Sequence, residues 1–380
     1  MKVKLDKYIN EVNIRNKNNI YNDVYSVTNS EGFVESKEYF SKEVFSKDLS
    51  NYKIVMRNMM AYNPSRINVG SVAIQNKKET VIVSPLYIIF SVNQEYLLVE
   101  YLNYFLHSNI GLNQIKFLTS GSVRDNLKFS SLKNLLMPIE DIHIQKKRIE
   151  ILKKLDSLIS LKKFYIDKLN KLISSLFIEM FGSQLENPYN FEKGIIKDVV
   201  SDVKYGTSSP ANDNGIYPYL RMGNITYDGQ LDLTNLKYIT IDDKELDKYI
   251  VKKGDILFNR TNSKELVGKT CVFNLDEPMI IAGYIIRVRT NNRVIPEYLS
   301  AVLNSKYGKQ TLFDMCKSIV GQANINAQEL QKIKLLVPPI EIQLKYKSYL
   351  VQIDKSKLAI QQSLEKLEIL KKSLMQEYFG

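Results

Sequence analysis

"QKKRIEILKKLDSLISLKKFYIDKLNKLISSLFIEMFG" (145–182) returns without a gap as "QLKYKSYLVQIDKSKLAIQQSLEKLEILKKSLMQEYFG" (343–380). Gln145 aligns with Gln343, Asp156 with Asp354, and Phe181-Gly182 with Phe379-Gly380. Working outward, "LLMPIEDIHIQ" (135–145) echoes "LLVPPIEIQ" (335–343), and "YLNYFLHSNIG" (101–111) echoes "YLSAVLNSKYG" (298–308). Further out, "MAYNPSRINVGSVAI" (60–74) resembles "LFNRTNSKELVGKTCV" (257–272). The chain is therefore one architecture used twice, over 1–182 and 183–380. A solenoid would need at least about three short repeats. Two copies of this length are two domains, which a chain of 380 residues also suggests.

Each half opens with short strands and turns. In the second half these are "YPYLRMGNI" (217–225), "GDILFNRT" (254–261), "GKTCVFNL" (268–275) and "YIIRVRT" (284–290). Ile286 and Val288 alternate with Arg287 and Arg289, the pattern of a half-buried strand. A helix opens at Pro296, a residue suited to the first helical position. A Pro-containing connector then leads into the long terminal helix. The fold class is α+β: a first domain at 1–140, a helix at 141–182, a second domain at 183–337 and a second helix at 338–380.

The helices carry apolar residues at 3–4 spacing, the narrow seam of a coiled coil rather than a broad core-facing stripe. Leu152, Ile159, Ile166, Ile173 and Met180 form one row of the first helix, with Leu155, Leu169 and Leu176 in the other. Leu350, Leu364 and Tyr378 join Ile353, Ile360, Leu367 and Leu374 in the second. Lys162, Lys357 and Lys371 interrupt the seam; such a lysine fixes register at a cost or snorkels to solvent, and snorkelling is the favoured reading. Helices of this length reach ~57 Å. Two in one chain are natural partners, and the short linker "SQLENPYNFEKG" (183–194) favours antiparallel pairing.

Lys+Arg 53 against Asp+Glu 41 gives a net charge of +12, which suits a polyanionic partner such as nucleic acid. An A/T-rich coding sequence would also favour lysine, so charge alone does not decide. Cys271 and Cys316 sit in no CxxC or His-rich context, which predicts buried free thiols in a reducing cytoplasm. The start "MKVKLDKYINEVNI" has no apolar h-region, and no run approaches a membrane span, so a cytoplasmic protein is expected.

This layout resembles the specificity subunit of type I restriction–modification systems over the whole chain. The resemblance rests on two variable domains each followed by a long helix, on the "PIEDIHIQ" and "PPIEIQ" helix entries, and above all on "GDILFNRTNSKELVGK" (254–269). The first half departs from it: "YKIVMRNMMAYNPSRINVG" (52–70) lacks the Gly-Asp pair and keeps only Tyr62-Asn63 and Val69-Gly70. The resemblance implies two target-recognition domains, each reading one half of an asymmetric split site in double-stranded DNA, spaced by an antiparallel coiled coil. It also implies no catalytic centre in this chain. The partners it implies are two methylation subunits that bind S-adenosylmethionine and modify adenine, with two restriction subunits, ATP and Mg²⁺ in a complete nuclease.

The residues read independently agree. There is no GxGxxG, no Asp/Asn-Pro-Pro-aromatic stretch and no GxxxxGK[ST] loop; "NPSR" (63–66) reads as a turn, and "VGKT" (267–270) lacks the upstream glycine. "ESK" (35–37) downstream of Asp23 is too permissive for a metal nuclease, and His107 and His143 are isolated, so no catalytic or metal-binding residue is expected. What remains is recognition, which needs Arg or Lys for guanine and Asn or Gln for adenine, presented on loops. The second domain offers Arg221, Asn224, Asn259, Arg260, Thr261, Asn262 and Lys264. The first offers Arg57, Tyr62, Asn63, Ser65 and Arg66. Arg124, in "SGSVRDN" (120–126), and "VGQANIN" (320–326) could serve the same faces, and some of these residues would hold phosphates instead. A scaffold protein without sequence readout is the alternative, with a stand-alone nuclease behind it.

Overall fold

A computed structural model describes residues 2–40, 45–119, 126–212, 214–319 and 322–380. Contacts divide it into unit 1, Met1–Phe164 with Ile360–Gly380, and unit 2, Tyr165–Ala359. Both long helices are thus shared: each begins in the unit of the domain before it and finishes in the other.

Unit 1 holds β1 (Lys2–Lys4), β2 (Ile9–Val12), β3 (Val24–Thr28), β4 (Gly32–Glu35), α1 (Ser36–Tyr39), β5 (Lys53–Met56) and β6 (Met60–Tyr62). There follow β7 (Val72–Ile74), β8 (Thr80–Val83), β9 (Ile88–Val92), α2 (Val99–His107), α3 (Asn109–Thr119), α4 (Phe129–Leu132), β10 (Leu136–Pro138) and the start of α5 (Ile142–Phe181). One sheet has the order β2-β9-β6-β7, a second β4-β3-β8-β5, and β1 pairs with β10. Among the described strands of this unit only β3–β8 is parallel. Tyr25, Val55, Ala61, Val81 and Ile89 fill the space between the sheets. Met60, Tyr62 and Phe90 face the other way, onto Tyr101, Leu102 and Phe105 of α2. Alternate residues of β6 and β9 therefore go to opposite apolar layers.

Unit 2 repeats this plan. It contains α6 (Ile196–Val199), α7 (Asp243–Tyr249), α8 (Pro296–Asn304), α9 (Lys306–Met315), α10 (Ala327–Gln331) and the start of α11 (Ile340–Phe379). Its strands are β11 (Glu192–Ile195), β12 (Val200–Tyr205), β13 (Tyr217–Leu220), β14 (Lys237–Ile239), β15 (Ile250–Val251), β16 (Ile256–Asn259) and β17 (Thr261–Asn262). They continue with β18 (Thr270–Val272), β19 (Met279–Ile281), β20 (Ile285–Thr290), β21 (Lys317–Ile319), β22 (Gln322–Asn324) and β23 (Lys334–Val337). The order β12-β20-β16-β18 matches β2-β9-β6-β7, β14-β13-β19-β15 matches β4-β3-β8-β5, and β11–β23 matches β1–β10. The parallel pair recurs as β13–β19. Unit 2 adds the small sheet β17-β22-β21. Pro296 does occupy the first turn of α8.

β20 corrects a sequence expectation. Ile286 and Val288 are buried, but so is Arg287, at 0% exposure. A central strand with a second sheet on its outer face has no solvated side. Arg287 is tolerated there because its guanidinium pairs with Asp202 at 2.8 Å and also donates to the Ile250 carbonyl.

The long helices span 40 residues each. The structure shows what their repeated endings do. Phe181, at the end of α5, packs edge-on against Tyr298 of α8 and Tyr346 of α11 in unit 2. Phe379, at the end of α11, packs on Tyr101 and Phe105 of α2 in unit 1. Both rings are fully buried. Each helix thus closes the core of the domain that it does not follow. The helix entries are duplicated too. Gln145 accepts from Leu98 N and donates to the Tyr96 and Glu140 carbonyls, while Gln343 accepts from Ile295 N and donates to those of Arg293 and Pro338. Both glutamines lock the start of a domain helix onto the start of a long one.

Within each unit the helix segments run antiparallel. In unit 1 Arg148 meets Tyr378, Asp156 meets Lys371 and Lys163 meets Glu368. In unit 2 Phe177 and Phe181 meet Tyr346. Of the predicted seam residues, Leu152 and Ile353 are buried, and Ile159, Ile166, Leu169, Ile173, Leu350, Ile360, Leu364 and Leu367 are half-buried. The seam lysines do not simply snorkel. Lys371 pairs with Asp156, and Lys357 is 7% exposed.

Candidate nucleic-acid interface

The quoted loops of the two halves close by the same backbone device. Asn63 N donates to the Ser71 carbonyl (3.0 Å) and Asn259 N to that of Lys269 (2.9 Å), so Asn63 and Asn259 mark equivalent hairpin shoulders. Gly70 (φ +93°) and Gly268 (φ +78°) stand before the returning strands in the left-handed region that glycine tolerates best.

These loops carry the two described arginines whose guanidinium groups meet no acceptor, Arg66 and Arg260. Elsewhere Arg57 pairs with Glu79, Arg148 with Glu140, Arg287 with Asp202, Arg289 with Asp255 and Arg293 with Glu192. Arg15 and Arg221 donate to the Asn51 and Asn235 carbonyls. In both copies of the loop the arginine's donor fork is left without an acceptor among the described residues. Arg66 is exposed. Arg260 is half-buried, its guanidinium 4.8 Å over the Tyr205 ring.

The other expected residues divide. Tyr62 is fully buried and its hydroxyl donates to the Leu127 carbonyl. Asn224 is 3% exposed and spans Arg221 N and the Asp232 carbonyl. Asn259 is 0% exposed; oriented with its amide nitrogen toward the Thr261 and Tyr284 carbonyls, it accepts from Asn262 Nδ2. These three shape loops from inside and present no edge to a ligand. Asn63 accepts from Ser65 N and Oγ, an Asx turn that sets the loop before Arg66. Thr261 donates to Asn324 Oδ1, and Asn262 accepts from Ser263 N. Lys264 points elsewhere, over Phe313 of α9 at 4.0 Å. Arg57 is taken by Glu79. Arg124 lies outside the described residues. Around Arg260 the structure adds Tyr205 and Tyr284, which sequence reading passed over, and brings in Asn324 from the polar stretch 320–326. The available signal was an aromatic residue directly before the turn "GTSSP" (206–210).

Of the two histidines considered for chemistry, His107 is held by its ring, whereas the side chain of His143 is exposed. His107 Nδ1 contacts the Asn103 carbonyl, and His143 N donates to Asp141 at the start of α5. Burial pushes the Cys271 thiol up to about 12, while Cys316 is only half-buried, against expectation. Among the described residues no group of three His, Cys, Asp or Glu could hold a metal ion. No described helix is long and apolar enough to cross a membrane.

The family model for the type I restriction modification DNA specificity domain matches residues 3–171 and again 188–370. The chain belongs to this family. Among curated relatives it is 30% identical over 198 residues to a putative type I restriction enzyme MjaX specificity subunit of Methanocaldococcus jannaschii, covering 51% of this chain and 46% of that protein. It is 24% identical over 262 residues to the type I restriction enzyme EcoKI specificity subunit of Escherichia coli, covering 64% and 56%. The alignments thus span about half the length of these relatives. Two solved structures share the fold. One is the S subunit of a type I restriction-modification system from M. genitalium, with TM-score 0.61, 14% identity and coverage of 100% and 96%. The other comes from work on complex assembly and conformational transition of the type I R-M system, with TM-score 0.61, 16% identity and coverage of 100% and 97%. The two matches of one family model follow the two units, each with its own arginine loop.

Proposed function

We propose that this chain is the non-catalytic DNA-recognition subunit of a type I restriction–modification complex, and that it binds an asymmetric, bipartite site in double-stranded DNA. The observation that carries this reading is the pair Arg66 and Arg260, acceptor-free donors on matched loops of two otherwise dissimilar surfaces. Arginine addresses guanine N7 and O6 in the major groove or a phosphate. The surplus of +12 supplies the sequence-independent attraction that brings the duplex in.

The reactive steps fall to other chains: two methylation subunits that use S-adenosylmethionine on adenine and, in a nuclease, two restriction subunits that use ATP and Mg²⁺. Apolar side chains beside the helical seam support docking. Ile144, Ile151 and Leu158 recur every seven residues in unit 1 and are 43–44% exposed. Leu344, Val351 and Leu358 do so in unit 2, at 45–56%. Such rows widen a coiled-coil face enough to accept further helices.

The helices set the unread spacer in this reading. Matched seven-residue insertions in α5 and α11 keep the seam in phase and add ~10 Å, about three base pairs at 3.4 Å each. Adenine-methylation mapping of a strain expressing the insertion variant with its methylation partner should return the same half-sites with a longer gap. Changed half-sites would refute the spacer role. The purified chain should bind duplex DNA with affinity that falls steeply with salt. Weak binding at every salt concentration would favour a scaffold instead.

A further inference from the structure

Backbone bonds hold Arg66 (its N to the Asn63 carbonyl, its carbonyl from Val69 N and Ser71 N) as well as Arg260, but only the side chain of Arg260 is seated. Its backbone N donates to the Tyr284 carbonyl and its own carbonyl accepts from Ile325 N, each at 2.9 Å. Its guanidinium lies 4.8 Å over the Tyr205 ring. That ring is fixed in turn: Tyr205 Oη accepts from Ala327 N at 2.8 Å, at the first residue of α10. Asn326 caps α10, accepting from Gln328 N and Glu329 N. Nε of Arg260 is buried without a partner, whereas its terminal nitrogens are not buried and meet no acceptor among the described residues. The neighbouring Thr261 is tied to Asn324.

We propose that Tyr205 is a positioning residue that fixes the plane of the Arg260 guanidinium, so that its two outer nitrogens meet a guanine edge as a fork and unit 2 reads a G·C pair. Stacking on an aromatic face removes the rotational freedom that would let the side chain swing onto a phosphate, and a planar fork suits the N7/O6 pair of guanine. A residue meant only to grip phosphate needs no such plane. Among the described residues of unit 1 no ring stands at the equivalent position. Tyr205 pairs with Ile286, one step beyond the Lys204–Arg287 pair, and the matching position, one step beyond the Val12–Ile89 pair, is Asn13. The inference rests on the recognition role of Arg260 proposed above.

The test uses the full chain assembled with its methylation subunits. Binding is measured to the recognised duplex and to every single-base-pair change in both half-sites, for wild type, Arg260→Ala, Tyr205→Leu, Tyr205→Asn and Tyr205→Phe. Arg260→Ala should erase discrimination at one G·C position of one half-site. Tyr205→Leu and Tyr205→Asn should weaken discrimination at that same position by roughly tenfold, within the range of one bidentate contact, and leave the others unchanged. Tyr205→Phe, which keeps the ring and loses only its bond from Ala327 N, should lose less discrimination than Leu or Asn. Uniform loss of affinity across all sequences in the Leu and Asn variants, or a Phe variant as relaxed as Leu, would overturn the role of Tyr205 alone. An Arg260→Ala variant without any position-specific effect would overturn the recognition role of Arg260 as well.

Discussion

Asp156 and Asp354 are the same residue of the repeat, one in each unit, and they differ in company. Asp156 accepts from the Tyr104 hydroxyl and from Lys371. At the matching places of unit 2 stand Ala301 and Ile173, and the carboxyl of Asp354 is pushed up by desolvation. The space beside Asp156 is about 250 Å³; unit 2 has a groove of about 1520 Å³, lined by Asp354, Tyr346 and Lys309 among others. The glutamine clamps, the sheet orders and the phenylalanine plugs, by contrast, are the same in both units. The duplication preserved bonds that hold elements together and released those at the surfaces between them. The loops that carry Arg66 and Arg260 follow that rule: common shoulders at Asn63 and Asn259, different arginine placement, and two more residues in the second (63–71 against 259–269).

The sharpest way to break the comparison is to remove the plugs. Phe379→Ala should destabilise unit 1 and Phe181→Ala unit 2, each by about 3–5 kcal/mol as for a large aromatic truncated in a core. Hydrogen exchange resolved by unit would show protection lost in one and kept in the other; loss in the same unit for both variants would contradict the exchange of helix ends. Next, Arg287→Ile places in unit 2 the residue that unit 1 has there, Ile89. It should cost about 2–3 kcal/mol, because Asp202 and the Ile250 carbonyl lose their donor, with some relief from the partial exposure of Asp202. Thermal unfolding measures it, and an added Asp202→Val change should recover part of the loss.

Smaller again is the difference between glycines. A methyl group at Gly268 would lie 2.6 Å from Leu312 Cδ1, while at Gly70 the nearest atom is 3.8 Å away. Both alanine variants bear the left-handed φ penalty of about 1 kcal/mol. Gly268→Ala should exceed Gly70→Ala, because Leu312 must also move. The smallest effect concerns pH. Burial, and then Lys269 nearby, hold the Lys309 amine down to about 8. From about pH 8 upward the unfolded chain binds the proton that the folded one has released, so this group's contribution to stability rises with pH. Lys309→Met should flatten that rise in the melting temperature of unit 2.

Most of the fold was legible because its signals are local or self-repeating. The seam, Pro296 and the duplicated entries need only spacing, and the two long helices they announce are α5 (Ile142–Phe181) and α11 (Ile340–Phe379). Arg287 was misread because burial of both strand faces depends on a second sheet that alternation cannot reveal. Lys371 was misread because its partner, Asp156, lies on the other helix. At the site, polar residues flanking a turn look alike in sequence. Where the hairpin ladder ends decides that Asn259 points inward and Arg260 outward. Tyr205 escaped notice because its contact with Arg260 joins strands distant in the chain.

In the proposed function the matched loops read the two halves of one site. Adenine-methylation mapping of strains carrying Arg66→Ala or Arg260→Ala, each expressed with the methylation partner, tests it most directly. The expected result is relaxed sequence preference in one half-site for the first variant and in the other half-site for the second, by ~1–3 kcal/mol at the affected base pair. Relaxation of the same half-site by both, or an even fall in methylation at every site with no change in motif, would contradict it.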